Sequence, residues 1–285
     1  MGEFHQTESE EQKTAPIARE AMWNALRAKG QRVPPRKWLK TPGQIAGIRE
    51  AGAVNVAVLD AVEKIVAPGI TTEEIDAVVE RETGALGGTP TCLGFEGFPK
   101  SVCTSVNDVV CHGIPSPDVV LREGDIVNVD CTTTYRGYVG DASRMFCVGT
   151  VSEAAKKLVD TAKEAVRTAE ACLAPYTAHL GDIGYAIATL VHNRGYTVVR
   201  EIGGHGVGLS MHEDPFVAHI GKKGEGVLLF PGMVFTIEPM INQGGRYFTI
   251  DRRDGWTVRT SDHRLSAQVE HMILMTETGF EILSK

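Results

Sequence analysis

Apolar positions recur at three- and four-residue spacing through Ile45, Ile48, Ala51, Val54, Val58, Ala61, Val62 and Ile65. That period predicts a long amphipathic helix. Thr41-Pro42-Gly43-Gln44 opens it and Pro68-Gly69 closes it. Thr71 or Thr72 with Glu74 forms a capping signal for a second helix that runs to about Thr83. Strand and turn patterns then continue to about residue 150. Helical periodicity returns over Glu153–Leu173 and from about Leu180 to Arg194, and strands and turns fill the chain from Tyr196 onward. The order is helices, strands, helices, strands. This is an α+β pattern with a hint of internal duplication, although no repeat is visible at residue level.

The first forty residues do not share this organisation. Glu3, Glu8, Glu10 and Glu11 make an acidic start that reads as disordered. A short helix is expected from Thr14, with Pro16 in its first turn and Gly30 as its stop. Between Lys13 and Lys40 stand eight basic residues and one acidic residue, Glu20, and Pro34-Pro35 stiffens the stretch before Trp38. Residues 1–41 are therefore expected to form a partly disordered extension, and residues 42–285 the globular domain. The extension reads either as a linker lying on the main body or as a docking arm for an acidic partner such as ribosomal RNA.

Composition narrows the class. The 285 residues carry a net charge of −7, with 42% hydrophobic and 23% charged residues, as in an ordinary soluble globular protein. An acidic balance argues against a large nucleic-acid interface. No apolar run approaches the ~18–20 residues of a membrane span, and no charged start leads into a secretory signal. None of the six cysteines (Cys92, Cys103, Cys111, Cys131, Cys147 and Cys172) forms a CxxC pair. A structural zinc site is thus not expected, and the reading is reduced thiols in a cytoplasmic protein.

Chemistry-bearing residues cluster in a few segments. Ile126–Asp141 reads as a hairpin turning near Arg136-Gly137, which makes Asp130 and Asp141 near-opposite on one face. Two carboxylates so placed need shared protons or a cation. Gly203-Gly204-His205-Gly206-Val207-Gly208 precedes Met211-His212-Glu213. Its spacing fits no phosphate-binding loop, since neither a GxGxxG helix nor a GK[ST] follows. Glu238 and Glu270 each sit inside an otherwise apolar strand, where a glutamate is almost never left unpaired. Four carboxylates and an imidazole suit a pair of divalent metals ~3.5–4 Å apart. His112 lies between an apolar run and a Gly-Ile-Pro turn and is ambiguous alone.

Together these segments resemble the methionine aminopeptidases of the bacterial type I form, over roughly residues 42–284. The most telling stretches are Lys100–Pro115, Gly203–Glu213 and Phe235–Asn242. The resemblance implies the pita-bread fold, a curved antiparallel sheet backed by helices with pseudo-twofold symmetry. It implies five metal ligands, Asp130, Asp141, His205, Glu238 and Glu270, with Asp141 and Glu270 bridging two ions. Cobalt, manganese, iron(II), zinc and nickel all suit such ligands. A water held between the ions would attack the scissile carbonyl, with Glu238 as general base. His112 and His212 would contact substrate, and Thr132 and Thr236 would orient ligand carboxylates. Asn107, Val109 and Ser266 match positions lining a sodium or potassium site. Cys92, Phe95, Phe98, Cys103, Met211 and Trp256 fall where the family builds its methionine pocket.

The implied activity is removal of the N-terminal methionine from nascent polypeptides, with a preference for a small second residue, by a cytoplasmic monomer. Phe95 and Phe98 stand where tyrosines are frequent and Met211 where an aromatic is common. Glu238 and Glu270 are only 32 positions apart, which leaves no room for the helical insert of type II enzymes. The rival readings are an X-Pro peptidase on the same fold, a metal-free binding protein, and a chiefly ribosome-associated protein.

Overall fold

The computed structural model describes residues 10–285, with side chains from Ala18 onward. Glu3 and Glu8 of the acidic start lie outside the described residues. Helix α1 (Glu10–Ala28) begins ahead of Thr14, so Thr14 and Pro16 lie within it rather than at its start, and Glu10 and Glu11 are helical. Gly30, at φ +79°, follows its end as expected. Trp23 of α1 is buried against the main core, and its indole N–H donates to Pro34 O (3.0 Å). Arg27 and Arg36 stack over its ring. The extension is thus folded back onto the body.

Helix α2 (Pro42–Glu63) starts with a reciprocal cap. Thr41 Oγ1 accepts from Gln44 N, and Gln44 Oε1 accepts from Thr41 N. Thr71 and Glu74 repeat the device at α3 (Thr72–Ala85). Each box satisfies two amide groups that a helix start leaves without partners. Helices α4 (Glu153–Glu170) and α5 (Leu180–Asn193) open the second half, with Ser152 capping α4.

The first half holds strands β1 (Thr89–Pro90), β2 (Cys103–Val106), β3 (Val109–Cys111), β4 (Ile126–Tyr135) and β5 (Tyr138–Cys147). The second holds β6 (Thr197–Val198), β7 (Gly204–Gly206), β8 (Glu213–Val217), β9 (Val234–Ile237) and β10 (Met240–Asn242). It continues with β11 (Phe248–Ile250), β12 (Val258–Thr260), β13 (Ser266–Gln268), β14 (His271–Met275) and β15 (Phe280–Ser284). Four antiparallel sheets result among the described residues. In one, β4 pairs with β1, β2 and β5; another runs β15-β14-β9-β7-β8; two three-stranded sheets run β13-β10-β6 and β11-β12-β3. Val58, Leu59, Ile75 and Val79 of α2 and α3 pack on Val127, Val129 and Cys131 of β4. Leu158, Val166, Ile183 and Ile187 of α4 and α5 pack on Phe235, Ile237, Ile241 and Ile273. Each half therefore covers antiparallel strands with its own helix pair, which is the pita-bread architecture.

One buried polar residue ties α2 to the hairpin. Asn55, fully buried, donates from Nδ2 to Cys131 O, to Gly140 O (3.2 Å) and to Thr133 Oγ1 (3.3 Å). Its Oδ1 accepts from Ser284 Oγ (3.1 Å). The approach is close because Gly140 lacks a side chain: a Cβ there would lie 2.5 Å from Ala51 O. Asn55→Leu removes these bonds while keeping the bulk, and buried acceptors left without donors are costly. We expect unfolding free energy to fall by about 2–4 kcal/mol in urea titration. A change below ~0.5 kcal/mol would show that Asn55 merely fills space.

Candidate metal centre and substrate cavity

The β4–β5 hairpin turns at Arg136-Gly137, both at positive φ (50° and 82°), a backbone that matches the twist of the strands. The register pairs Asp130 with Ser143 and Thr132 with Asp141. The two aspartates are therefore one diagonal step apart on one face, not directly opposite. His205 lies on β7, between β8 and β9. Gly204 lets β7 approach closely, since a Cβ there would lie 2.3 Å from Thr236 O. Glu238 follows β9 and Glu270 precedes β14. A bridge between Ser143 and Glu270, with Glu270 N donating to Ser143 O (3.2 Å), joins the lips of the two sheets. That junction brings together ligands from distant parts of the chain.

Ligand atoms of Asp141, His205 and Glu270 lie within 4.8 Å of one another. His205 Nε2 is 3.4 Å from Glu238 Oε1 and 3.8 Å from Asp141 Oδ2. Its Nδ1 lies 3.0 Å from Gly206 O, a pure acceptor, so Nδ1 carries the proton and the Nε2 lone pair faces the carboxylates. Asp130 lines the same cavity. Burial pushes all four carboxyl groups up, Asp141 to about 7 and Asp130, Glu238 and Glu270 well above the usual carboxylate range. Mutual repulsion adds to burial at Asp130, Glu238 and Glu270. Among the described residues, no lysine or arginine lines the cavity to offset them. Oxygen and imidazole donors buried without a counter-charge fit divalent cations.

Neighbouring side chains fix these ligands. Thr132 Oγ1 donates to Asp141 Oδ1 (2.9 Å), and Thr236 Oγ1 donates to Glu238 Oε1 (2.7 Å) while accepting from His205 N (3.0 Å). Gln268 Nε2 donates to Glu238 Oε2 (3.1 Å), and Glu238 N donates to His219 Nε2 (3.2 Å). Neither Gln268 nor His219 was assigned a role from the sequence. Gln268 sits two residues before Glu270 and so shares its face, a signal that strand periodicity offers. His219 is a solitary histidine with no such signal.

The ligands floor a cavity of about 470 Å³. Cys92, Phe95, Phe98, Cys103, Met211 and Trp256 all line it, as do His112 and His212. The rings meet edge-on: Phe98 with Trp256 at 5.2 Å, His112 with Trp256 at 5.9 Å, Phe95 with His212 at 5.2 Å and His212 with His205 at 4.4 Å between centroids. Burial lowers His112 to about 4, and partial desolvation in the cavity together with the neighbouring His205 lowers the more exposed His212 to about 4, so both are neutral at pH 7. Glu213 lines the cavity as well, and so do Glu96, Glu201, Ile202, Asp214 and Phe216, which sequence reasoning did not single out. Asn107, Val109 and Ser266 lie outside this lining. Two of them touch, Ser266 N donating to Asn107 O (2.8 Å).

The profile of metallopeptidase family M24 matches residues 46–277, and the chain belongs to that family of metal-dependent hydrolases. Methionine aminopeptidase A of Synechocystis is 48% identical over 241 residues, covering 85% of this chain and 94% of its own. The crystal structure of methionine aminopeptidase from Rickettsia prowazekii superposes with a TM-score of 0.84 at 41% identity, over 87% of this chain and 99% of that one. These similarities place the chain beside the bacterial type I enzymes. The X-Pro aminopeptidase of Thermotoga maritima, at 21% identity and a TM-score of 0.67, shares the fold, and this chain spans 62% of its length.

Proposed function

We propose that the chain removes the N-terminal methionine of polypeptides, using two divalent ions held by Asp130, Asp141, His205, Glu238 and Glu270. The observation that carries this reading is the buried carboxylate–imidazole cluster on the floor of a cavity walled by aromatic rings and sulfur. Bound divalent ions supply Lewis acidity and lower the pKa of water toward neutrality. Glu238, its two oxygens held by Thr236 and Gln268, is placed to take a proton from the attacking water. Neutral His212 is placed to donate to the scissile carbonyl oxygen as charge develops there. Neutral His112 hydrogen-bonds at the scissile nitrogen and steadies the leaving amine. Phe95, Phe98, Trp256, Cys92, Cys103 and Met211 form a polarizable wall suited to a thioether. A small second residue is preferred, and Asn107, Val109 and Ser266 would hold a monovalent cation.

The enzyme acts in the cytoplasm as a monomer. No helix among the described residues is long and apolar enough to cross a membrane. For residues 1–41 the linker reading has more support than ribosome docking. Arg19 pairs with Glu277, Arg36 with Glu20, Lys37 with Asp214 and Lys40 with Glu213, so half of the arm's eight basic residues already face the protein's own carboxylates.

Hydrolysis of Met-Gly-Met-Met against Leu-Gly-Met-Met, with and without manganese or cobalt, tests the activity. Methionine release should require metal, and leucine release should be slower by about 10–200-fold, the range one pocket can discriminate by packing. Metal-dependent cleavage of Xaa-Pro peptides with no methionine release would replace this reading with the X-Pro one.

A further inference from the structure

We propose that Lys40 is a positioning residue for His212, so that the N-terminal extension completes the active site. Lys40 precedes the segment matched to the family, yet its side chain is only 2% exposed. Its Nζ pairs with Glu213 Oε2. The other oxygen of that carboxylate, Oε1, accepts from Leu209 N (2.7 Å) and Ser210 N (3.1 Å). Ser210 Oγ in turn donates to His212 O (3.1 Å). Glu213 thus closes the loop Leu209–Glu213 on itself, and Lys40 supplies the cation that holds the carboxylate there. The ring this loop carries into the cavity is His212, edge-on to His205 and Phe95.

Lys40 is itself anchored from both sides. Its amide donates to Gly232 O (2.7 Å), and Leu39 bridges Met233, the residue before β9. One step along the loop, Asp214 is paired with Lys37 (3.0 Å). Two lysines of the extension therefore grip the two acids that follow His212. A lysine so deeply buried is not retained for solubility, because an unpaired buried ammonium is strongly unfavourable. Without it, Glu213 keeps only two amide donors and a largely buried charge, and the loop is released. A ring displaced by ~1 Å can cost up to about 10²-fold in rate.

The inference rests on His212 contacting substrate, and the test separates the two ideas. Turnover of Met-Gly-Met-Met by the manganese-loaded full chain is compared for wild type, Lys40→Met, His212→Ala and the double variant. In parallel, the His212 imidazole resonance is followed in ¹⁵N-histidine-labelled protein. We expect Lys40→Met to lower kcat about 10-fold with KM changed less than 2-fold, and to shift or broaden the His212 resonance. In the His212→Ala background the same change should cost less than 2-fold, since its route of action is gone. Losses that multiply in the double variant, or an unmoved His212 resonance, overturn the positioning role. Wild-type turnover in His212→Ala instead overturns the reading of His212 itself. Should Lys40→Met fail to fold, Glu213→Gln breaks the same ion pair while keeping an acceptor for the two loop amides, and the same outcomes apply.

Discussion

Glu238→Gln is expected to lower methionine release about 10³-fold while leaving the fold in place. The rate loss follows from chemistry: an amide cannot take a proton from water, and general-base catalysis contributes ~10²–10⁴-fold. Tolerance of the fold follows from the hydrogen-bond inventory. Oε1 of Glu238 accepts from Thr236, and the new amide oxygen can do the same. The new NH₂ would confront the Gln268 NH₂, but Gln268 Oε1 is buried with no partner among the described residues, so turning that amide over converts a conflict into a hydrogen bond. One fewer carboxylate also relieves repulsion within the cluster. The metal-free variant should thus melt at or above the wild-type temperature. Steady-state methionine release and thermal melts of the stripped proteins check both halves. Activity within 10-fold of wild type sinks the general-base assignment, and a lower melting temperature sinks the account of the cluster.

Stripping the metals should make stability fall with rising pH between 7 and 8.5. Asp130, Glu238 and Glu270 keep protons in the fold well above the ordinary carboxylate range, and Asp141 to about 7. In the unfolded chain these groups have lost their protons before pH 7. The folded state therefore binds more protons, and stability declines with pH at about 1.4 kcal/mol per unit for each proton retained. The neighbouring histidines contribute little in this window. Their folded values, about 4 for His112 and His212, are depressed, so their influence lies below the unfolded value of about 6.5. Saturating manganese should abolish the decline, because a bound cation favours the deprotonated ligands. Urea unfolding of chelator-treated and manganese-loaded protein at pH 7.0 and 8.5 measures this. Equal stability of the stripped protein at both values would falsify the picture of four desolvated carboxylates.

Much of the local structure is legible in the sequence. The caps at Thr41 and Thr71 span four residues each, and the Arg136-Gly137 turn is equally short. Such signals depend only on neighbours along the chain. Thr14 and Pro16 resemble a helix start, yet α1 begins ahead of them, because local pattern alone cannot distinguish a start from an interior. The strand pattern puts Asp130 and Asp141 near-opposite on one face, as they are in the structure, while only the hydrogen-bond register specifies the diagonal step between them.

Asn55, His219 and the Lys40–Glu213 pair carried no such signal. Each is a single polar residue whose partners are remote in sequence. The sequence by itself determined which chemical groups are available, which helices and turns form, and that several carboxylates must share positive charge. The tertiary structure alone decided which of them meet, which nitrogen of His205 faces them, and which cations of the extension are already spent on the protein's own acids. The reason is physical: the Ser143–Glu270 bridge and the docked extension exist only once separate sheets and segments pack, and no local periodicity encodes their meeting.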